Sequence, residues 1–349
     1  MRKVGSLFCS LIIVLLVGCV GSEKRDVDSF SNVKIINEYD SIYSDTNDQL
    51  GRITDIRVFN NLLVSKHMND QFSFSFIDIN DGKLIRRWGK RGEGPEEFIQ
   101  IGGGFTINNS SLVFLEAGKK EIISVSIDSV IKQNSNYTVI KRESYPYTVD
   151  FRPRRIEMVG DKKILAGAFK EGSFGLLDSD NKIVPTKSEY PFNHGQVDGI
   201  YRGTVFQSDI KSSSKNNKFT LLTFSSDVFE IYTVQNSLVE RQFLSTFQHA
   251  PQIEKKGDRY AIDPFKSIVG LMNLSVSDNY ICFTYSSKTV EESSLTEYTS
   301  DIVLCYDWEG RKVMKYILPF PISNLCIDDT YMYGIRYLDD GLSIYRFRF

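Results

Sequence analysis

Six residues occupy the same place in a recurring pattern of the sequence, each directly before a run of the form apolar, any residue, apolar. These residues are Asp55, Gly104, Arg155, Asp209, Asn273 and Asn324. Carboxylate and amide oxygens are ligands that Ca²⁺ prefers in proteins. Convergence of these side chains would therefore form a divalent cation site, although the Arg155 guanidinium would repel a cation. The alternative, which we favour, is that the six residues line a water-filled channel.

Two further segments resemble ligand-binding loops but fit better as turns. Residues 78–82 alternate acidic and amide side chains as a calcium loop does, yet the segment lacks the downstream glutamate that such a loop needs. This composition is typical of a tight hairpin turn. Residues 91–98 could offer backbone N–H groups to an anion, but their glycines lack the spacing of a phosphate-binding or dinucleotide-binding loop. We expect a structural turn there, in which glycine supplies positive φ and Pro95 stiffens the chain.

Several enzyme classes, and nucleic-acid binding, lack support in this sequence. The histidines are His67, His194 and His249; none is in an HExxH motif, and no serine lies in a GxSxG motif. The formal net charge is −2, and no basic stripe is interleaved with aromatic residues. Sequence-independent binding of DNA or RNA requires such a positive surface, so nucleic acid is not an expected partner.

The N-terminus has the features of a bacterial export signal. Arg2 and Lys3 precede an apolar run over 4–17 that is too short for a stable membrane span and ends in Leu-Val-Gly-Cys. This ending resembles a lipobox, which predicts a signal peptide over 1–18, lipidation of Cys19 and a polar tether over 19–32 that attaches the protein to the membrane. Because residue 20 is valine rather than aspartate, we expect an outer-membrane lipoprotein, in a leaflet that the residues do not specify. The alternative is a plain secretory signal followed by an unmodified cysteine.

Three cysteines remain outside the signal and the lipidation site. They are Cys282, Cys305 and Cys326. All three lie at apolar positions of strand-like segments, and none forms a close CxxC pair of the kind that binds zinc. Because their number is odd, we expect buried free thiols rather than a disulfide framework.

Each apolar run begins a longer repeat, in which a turn rich in Asn, Asp or Gly is followed by alternating apolar residues, a hairpin signature. These turns are marked by Asn61, Asn109, Asp161, Asn216, Asp278 and Asp329. They recur about every 50 residues, close to the ~40–50 residues of a four-stranded propeller blade. A second turn follows in the first five units, at Gly82, Ser129, Asn181, Asn236 and Gly310. The sequence therefore predicts an all-β fold over 33–349, a six-bladed β-propeller of four-stranded antiparallel blades.

The final repeat ends one strand short, at Phe349. An incomplete blade would leave an exposed strand edge and an open ring, which closed propellers avoid. Residues 33–39 have strand character and no partner in their own unit. We therefore predict that this segment pairs with 342–349 as the outer strand of the final blade, so that an N-terminal strand closes the ring.

Residues 87–98, Arg-Trp-Gly-Lys-Arg-Gly-Glu-Gly-Pro-Glu-Glu-Phe, lie between the first two predicted blades. Together with the repeat, this segment resembles the TolB-like six-bladed β-propeller lipoproteins. The resemblance implies the fold and export, and it suggests a binding or scaffolding role. More distantly, the chain resembles lactonase-type six-bladed propellers, which would make the residues before the apolar runs ligands of a Ca²⁺ ion in a propeller hydrolase.

The long connecting segments are expected on one face of the propeller. Strands of a blade alternate in direction, so blade-to-blade links and mid-blade hairpins share a face. Four long segments fall there, which we call the rim: 89–104, 191–207, 248–264 and 290–300. Because loops on a rigid scaffold often carry function, we expect a non-enzymatic binding or scaffold module whose rim meets an envelope protein or a glycan. The alternatives are the metal-dependent hydrolase and a subunit of a larger envelope complex that has no small-molecule site.

Overall fold

The structure is a computed structural model that describes residues 26–45, 50–68, 70–132, 140–184, 186, 188–191, 197, 200–213, 215–235, 238–245, 249–294, 298–339 and 341–349. The predicted signal peptide, Cys19 and His194 lie outside these residues. Within the described part of the chain, no helix is long and apolar enough to cross a membrane.

Six four-stranded antiparallel sheets form the body of the molecule, with strands numbered in chain order. Blade one contains β3 (Arg52–Phe59), β4 (Leu62–Met68), β5 (Phe72–Asp78) and β6 (Leu84–Lys90). Blade two contains β7 (Ile101–Asn108), β8 (Ser111–Glu116), β9 (Glu121–Ser126) and β10 (Ile140–Ser144). Blade three contains β11 (Phe151–Val159), β12 (Lys162–Phe169), β13 (Phe174–Leu177) and β14 (Ile183–Val184).

The second half of the chain follows the same plan. Blade four contains β15 (Ser208–Ser213), β16 (Lys218–Thr223), β17 (Phe229–Gln235) and β18 (Leu238–Leu244). Blade five contains β21 (Ile268–Val276), β22 (Tyr280–Thr289), β23 (Ser300–Asp307) and β24 (Lys312–Ile322). Blade six contains β25 (Asn324–Ile327), β26 (Tyr331–Leu338), β27 (Gly341–Arg348) and β2 (Tyr39–Asp45).

The remaining elements are short. They are a 3-10 helix (Asp26–Ser29), β1 (Val33–Ile35), α1 (Ile127–Ile131), α2 (Ile200–Val205), the hairpin β19 (Ile253–Lys256) and β20 (Arg259–Ile262), and α3 (Val290–Ser294).

The blades form a closed ring around a central channel. Their innermost strands contact one another in the cyclic order β3, β7, β11, β15, β21, β25 and back to β3. Blades pack face to face, so most strands are buried on both faces and need large apolar side chains on each. Between blades one and two, for example, Phe74, Trp88 and Phe98 pack with Phe105 and Phe114. The six-bladed β-propeller predicted from the repeat is confirmed.

The first turn of each blade falls at the predicted marker, and four of these turns contain a residue in the left-handed conformation. These residues are Asn60, Asn109, Gly160 and Asn217. Asparagine and glycine tolerate positive φ, which two-residue hairpin turns require. The second turns at Gly82, Asn181 and Gly310 also have positive φ. Ser129 instead lies in α1, and Asn236 lies outside the described residues. We call the side that carries the first and second turns the turn face; the rim lies at the opposite face.

Ring closure by an N-terminal strand occurs as predicted, but the prediction of its segment is wrong. Strand β2 (Tyr39–Asp45) pairs antiparallel with β27, with Tyr39 opposite Phe347 and Asp45 opposite Leu342. The predicted segment instead forms β1, which adds a fifth, parallel strand to the outer edge of blade five, with Ile35 opposite Ile317. An outer strand is largely exposed, so a polar sequence such as that of β2 serves there as well as an apolar one.

The prediction of three free thiols is also wrong, because Cys282 and Cys305 form a disulfide. They lie directly opposite each other in the antiparallel pair β22 and β23, with their Cα atoms 4.4 Å apart. This separation is within the range that a disulfide spans, so the register of the two strands brings the sulfurs together. Cys326 remains a buried free thiol.

The two loop-like segments are turns. The Asp78 carboxylate accepts the Asn80 N–H at 2.8 Å, and Gly82 N–H donates to the Asp78 carbonyl at 2.9 Å, which closes a tight hairpin turn. In residues 91–98, the Glu97 carboxylate accepts the Gly94 N–H at 3.1 Å. The N–H groups of this second segment thus partly meet acceptors within their own loop.

Candidate functional site at the channel mouth

All five predicted polar residues of the channel mouth line one cavity of about 250 Å³. They are Asp55, Arg155, Asp209, Asn273 and Asn324, one from each of five inner strands. The rest of the wall consists of Thr54, Ile56, Phe224, Ser225, Val269, Leu271, Met272, Leu274, Tyr298 and Leu325. Because the blades are related by rotation, residues at equivalent repeat positions meet at the same depth of the channel. The spacing of the repeat therefore located the polar wall of this cavity.

The remaining mouth position, at Gly104 in blade two, carries no side chain. Strand β7 carries Gly103 and Gly104, and a side chain built on either would lie 3.0 to 3.2 Å from the Arg155 side chain. Such a contact is tighter than a normal carbon contact, so the two glycines leave the space that Arg155 fills. The Arg155 guanidinium also lies 5.6 Å from the ring centre of Phe224, within the range of a cation–π contact.

The charged side chains of the channel are paired across blades. Lys211 Nζ lies 2.7 Å from Asp55 Oδ1, joining two blades on opposite sides of the ring. Arg155 Nη1 lies 3.0 Å from Asp209 Oδ1, joining blades three and four. Arg57 contacts Glu157, one layer deeper. We call these contacts the three channel pairs.

The sequence pattern predicted one channel-lining charged residue on each of three inner strands, and it did not predict the second one. Arg57, Glu157 and Lys211 each lie two residues after a predicted mouth residue. Side chains two residues apart point to the same face of a strand, so the same period-two rule could have predicted them. On each of β3, β11 and β15, the residue two positions after the predicted mouth residue carries the opposite charge, and this pattern is visible in the sequence.

The cations of the channel determine the charge state of Asp55. Burial alone would raise the pKa of Asp55, but the charge of Lys211 and of the two nearby arginines holds it below its usual value. The Asp55 carboxylate also accepts the Phe105 N–H at 3.3 Å. Asp55 is therefore an ionised carboxylate whose oxygens are already engaged by protein donors.

Lys66 is a further cation beside the cavity. Its side chain is buried, and its Nζ donates to the Thr54 hydroxyl at 3.1 Å. Burial lowers the pKa of Lys66 to about 8; the charge of Asp55 opposes this shift, and the charge of Arg155 adds to it. Within the described residues no carboxylate oxygen lies within 4.0 Å of Lys66 Nζ.

The two amides present complementary groups. Asn273 has positive φ at a bulge of β21, and its Nδ2 donates to the Thr284 hydroxyl at 2.9 Å. This contact uses an amide N–H and leaves the amide oxygen available. Asn324 Oδ1 accepts a hydrogen bond from the Ser323 hydroxyl at 3.2 Å, which leaves the amide N–H groups of Asn324 available. Together, the Asn273 and Asn324 amides can accept one hydrogen bond and donate others, as recognition of hydroxyl groups requires.

These contacts do not fit a Ca²⁺ site. The two mouth carboxylates are already neutralised by Lys211 and Arg155, and Lys66 adds a third positive charge. Among the described residues, no group of three or more His, Cys, Asp or Glu side chains is arranged to hold a metal ion. The hydrolase alternative depended on the mouth carboxylates as metal ligands, and this arrangement gives it no support.

The rim carries its own small core near blades three to five. Helix α2 contacts β12 and β20, and Phe206 packs there with Val205 and Val228. Helix α3 is held by hydrogen bonds from Val290 N to the Ser267 carbonyl and from Glu291 N to the Pro264 carbonyl, both 2.9 Å. Exposed aromatic side chains remain around it: Phe265, Tyr201 and Tyr298.

Two of the three histidines have structural contacts. His67 is buried and bonds to the Ser65 hydroxyl and the Gly51 carbonyl, both at 3.1 Å. His249 Nδ1 lies 3.0 Å from Asp227 Oδ2 at the base of the rim. Neither lines the mouth cavity.

Comparison with solved structures supports the fold. A putative exported protein of Bacteroides fragilis aligns with a TM-score of 0.58 and 13% identity, covering 89% of this chain and 94% of that one. A member of the DUF4221 family from Bacteroides vulgatus aligns with a TM-score of 0.56 and 10% identity, covering 90% and 98%. A gluconolactonase from Xanthomonas campestris reaches a TM-score of only 0.48 at 11% identity, covering 88% of each, which supports no argument about activity.

Sequence comparisons give the family. No curated protein sequence matches the chain significantly. The profile of the TolB-like 6-blade propeller-like family matches residues 51–330, which span most of the chain and contain blades one to five together with the first strand of blade six. The chain therefore belongs to the TolB-like six-bladed propeller family.

Proposed function

We propose that the protein is an exported lipoprotein, anchored to the outer membrane through Cys19, that acts as a non-enzymatic binding propeller of the cell envelope. The observation that carries the proposal is the mouth cavity, an open polar site whose charged groups are held in cross-blade pairs. A group that acts as a general acid or base must be able to exchange a proton during the reaction. Carboxylates fixed by lysine and arginine suit recognition better than proton transfer.

Export is supported by the disulfide. Disulfides persist in oxidising compartments such as the bacterial periplasm and the cell surface, and they are rare in the cytosol. The Cys282–Cys305 bond agrees with the export signal read from residues 1–18.

The path of the N-terminal segment supports an orientation on the membrane. Residues 26–32, the end of the predicted tether, pack at the turn face of blade five. Phe30 packs against Tyr306 with ring centres 5.3 Å apart, and Lys312 Nζ donates to the Ser29 hydroxyl at 2.6 Å. Lys312 follows the second turn of its blade. An anchor at Cys19 would therefore hold the turn face towards the membrane and leave the mouth and rim facing away, accessible to an envelope protein or glycan.

Lipid attachment is tested by metabolic labelling of cells with a fatty acid, followed by membrane fractionation. Wild-type protein should carry the label in the outer-membrane fraction, and Cys19→Ala should be unlabelled and soluble after export. Equal distribution of both proteins, without label, would contradict the anchor.

Binding at the rim is tested by photo-crosslinking in intact cells. A photoreactive phenylalanine analogue replaces Phe265, which is 70% exposed on the rim side, or Ile183, which is 45% exposed on the turn face and serves as control. The Phe265 position should yield a discrete crosslinked species and the Ile183 position should not. The same products from both positions, or none from Phe265, would refute a rim-mediated binding role.

A further inference from the structure

The charges beside the mouth cavity do not cancel. The three channel pairs contribute three cations and three anions, and Lys66 is an additional cation. Its ammonium group is 3.1 Å from the hydroxyl of Thr54, which itself lines the cavity. Within the described residues it has no carboxylate partner at ion-pair distance. The charge of Asp55 stabilises the Lys66 ammonium only in part. A buried cation without a close counter-ion is costly, and an anion placed beside it would lower that cost.

A second donor, Arg155, lines the cavity itself, whereas Lys66 adjoins it through its contact with Thr54. Within the described residues, Arg155 uses only Nη1 to contact Asp209, although its guanidinium has five N–H donors. Its remaining N–H groups can therefore meet a ligand, and an arginine that is stacked on a ring and held by a carboxylate presents them in a fixed direction. Lys66 and Arg155 together favour a carboxylate more than a neutral polar group.

The rest of the wall is suited to hydroxyl groups. Asn273 offers an amide oxygen, Asn324 offers amide N–H groups, and Ser225 and Tyr298 add hydroxyls. Apolar side chains such as Leu325 and Val269 complete the surface against which a ring or chain of carbons can pack. The volume of about 250 Å³ is below the ~300–1,000 Å³ of pockets for drug-sized ligands, so the occupant is small.

We propose that the mouth cavity binds a small monocarboxylate that also carries several hydroxyl groups, such as a sugar acid. Its carboxylate contacts Lys66 and Arg155, and its hydroxyl groups contact Asn273 and Asn324. This inference rests on the proposed binding function and names the ligand class of the same site.

The test compares matched probes on the mature chain with Cys19→Ser, which keeps every described residue. Glucuronate, galacturonate and gluconate are titrated by calorimetry at pH 7, against glucose and galactose as uncharged counterparts. At least one acid should bind about tenfold more tightly than its neutral counterpart, as one charge-assisted contact would give.

Variants assign the preference to Lys66. Lys66→Met should abolish the difference between acid and neutral sugar, and Lys66→Arg should retain part of it. Lys163→Met is the matched control, because Lys163 is similarly buried but bonds to Asn181 near the turn face. Circular dichroism confirms folding of each variant, and a Lys66→Met variant that keeps full preference would overturn the assignment.

A pH series provides an independent readout. Lys66 faces Thr54 and Asp55 on β3, Arg155 on β11 and Arg91 in the rim. Because burial lowers the pKa of Lys66 to about 8, affinity for the acid should fall between pH 7 and 9.5 in the wild type and stay constant in Lys66→Met. A constant wild-type affinity would contradict the role of Lys66. If rim crosslinking succeeds and none of the acids binds more tightly than its neutral counterpart, the ligand class is wrong while the binding function stands.

Discussion

Replacement of Lys211 by methionine tests the ion pair between Lys211 and Asp55 in the channel. Lys211 and Asp55 are 5% and 8% exposed, and Lys211 Nζ lies 2.7 Å from Asp55 Oδ1. Lys211→Met keeps the length of the side chain but leaves the Asp55 carboxylate in the channel without its main partner. Breaking a buried pair in this way typically costs 3–5 kcal/mol.

The structure favours the lower end of that range. Asp55 would retain the Phe105 N–H at 3.3 Å, and Arg57 and Arg155 would remain close enough to lower its pKa. We therefore expect Lys211→Met to lower the free energy of unfolding by about 3 kcal/mol. The double variant Asp55→Asn with Lys211→Met removes both charges and should cost about 1 kcal/mol, because a buried pair gains little net energy over neutral groups of similar volume.

Urea unfolding followed by tryptophan fluorescence and circular dichroism measures these differences. Lys215→Met, at an exposed lysine of the same blade, is the control and should change stability by less than about 0.5 kcal/mol. The reasoning is refuted if Lys211→Met costs less than about 1 kcal/mol, or if the double variant is less stable than the single one.

Three further outcomes are expected. The Cys282–Cys305 disulfide closes a loop with a sequence separation of 23. Its reduction should lower the free energy of unfolding by about 3 kcal/mol, measured by urea titrations with and without reductant. An unchanged unfolding midpoint would contradict this. A chain that begins at residue 50 lacks β2, so it should form dimers or larger species through the exposed edge of β27. Size-exclusion chromatography with light scattering measures this, and a chain that begins at residue 26 is the control and should be monomeric. If both chains are monomeric, β2 does not protect the edge. Because the pKa of Lys66 is lowered to about 8 in the folded state, the unfolded chain binds more protons between pH 8 and pH 10.5, so the stability of the wild type relative to Lys66→Met should rise over that window by at most about 3 kcal/mol. A difference that is constant with pH would refute the burial of a charged Lys66.

The repeat explains why the fold and the upper cavity wall could be predicted from sequence. A turn rich in Asn, Asp or Gly and a run of alternating apolar residues recur once per blade, so one residue position maps onto six equivalent places around the ring. Asp55, Arg155 and Asp209 could be placed together because each directly precedes the apolar run of an inner strand. Their pairing could not be predicted, since it depends on which side chains reach across the channel, as Lys211 does from blade four to Asp55 in blade one.

The two errors have physical causes of the same kind. The strand character of residues 33–39 predicts the wrong closing strand, because an exposed outer strand gains little from apolar residues, and Val33 and Ile35 are more than half exposed. The disulfide was missed because it depends on the register of β22 and β23, which are separated by the insertion that contains α3. Local pattern predicts that strands exist, and long-range register decides which side chains meet.

We propose that the carboxylates of the channel mouth are held by cations of the protein rather than by a metal ion. A crystal structure of the mature chain grown with millimolar CaCl₂ tests it most directly. We predict that Asp55 remains paired with Lys211 and Asp209 with Arg155, with no cation bound between the two carboxylates. A Ca²⁺ ion at about 2.3–2.6 Å from oxygens of both Asp55 and Asp209, with Arg155 displaced, would contradict the account.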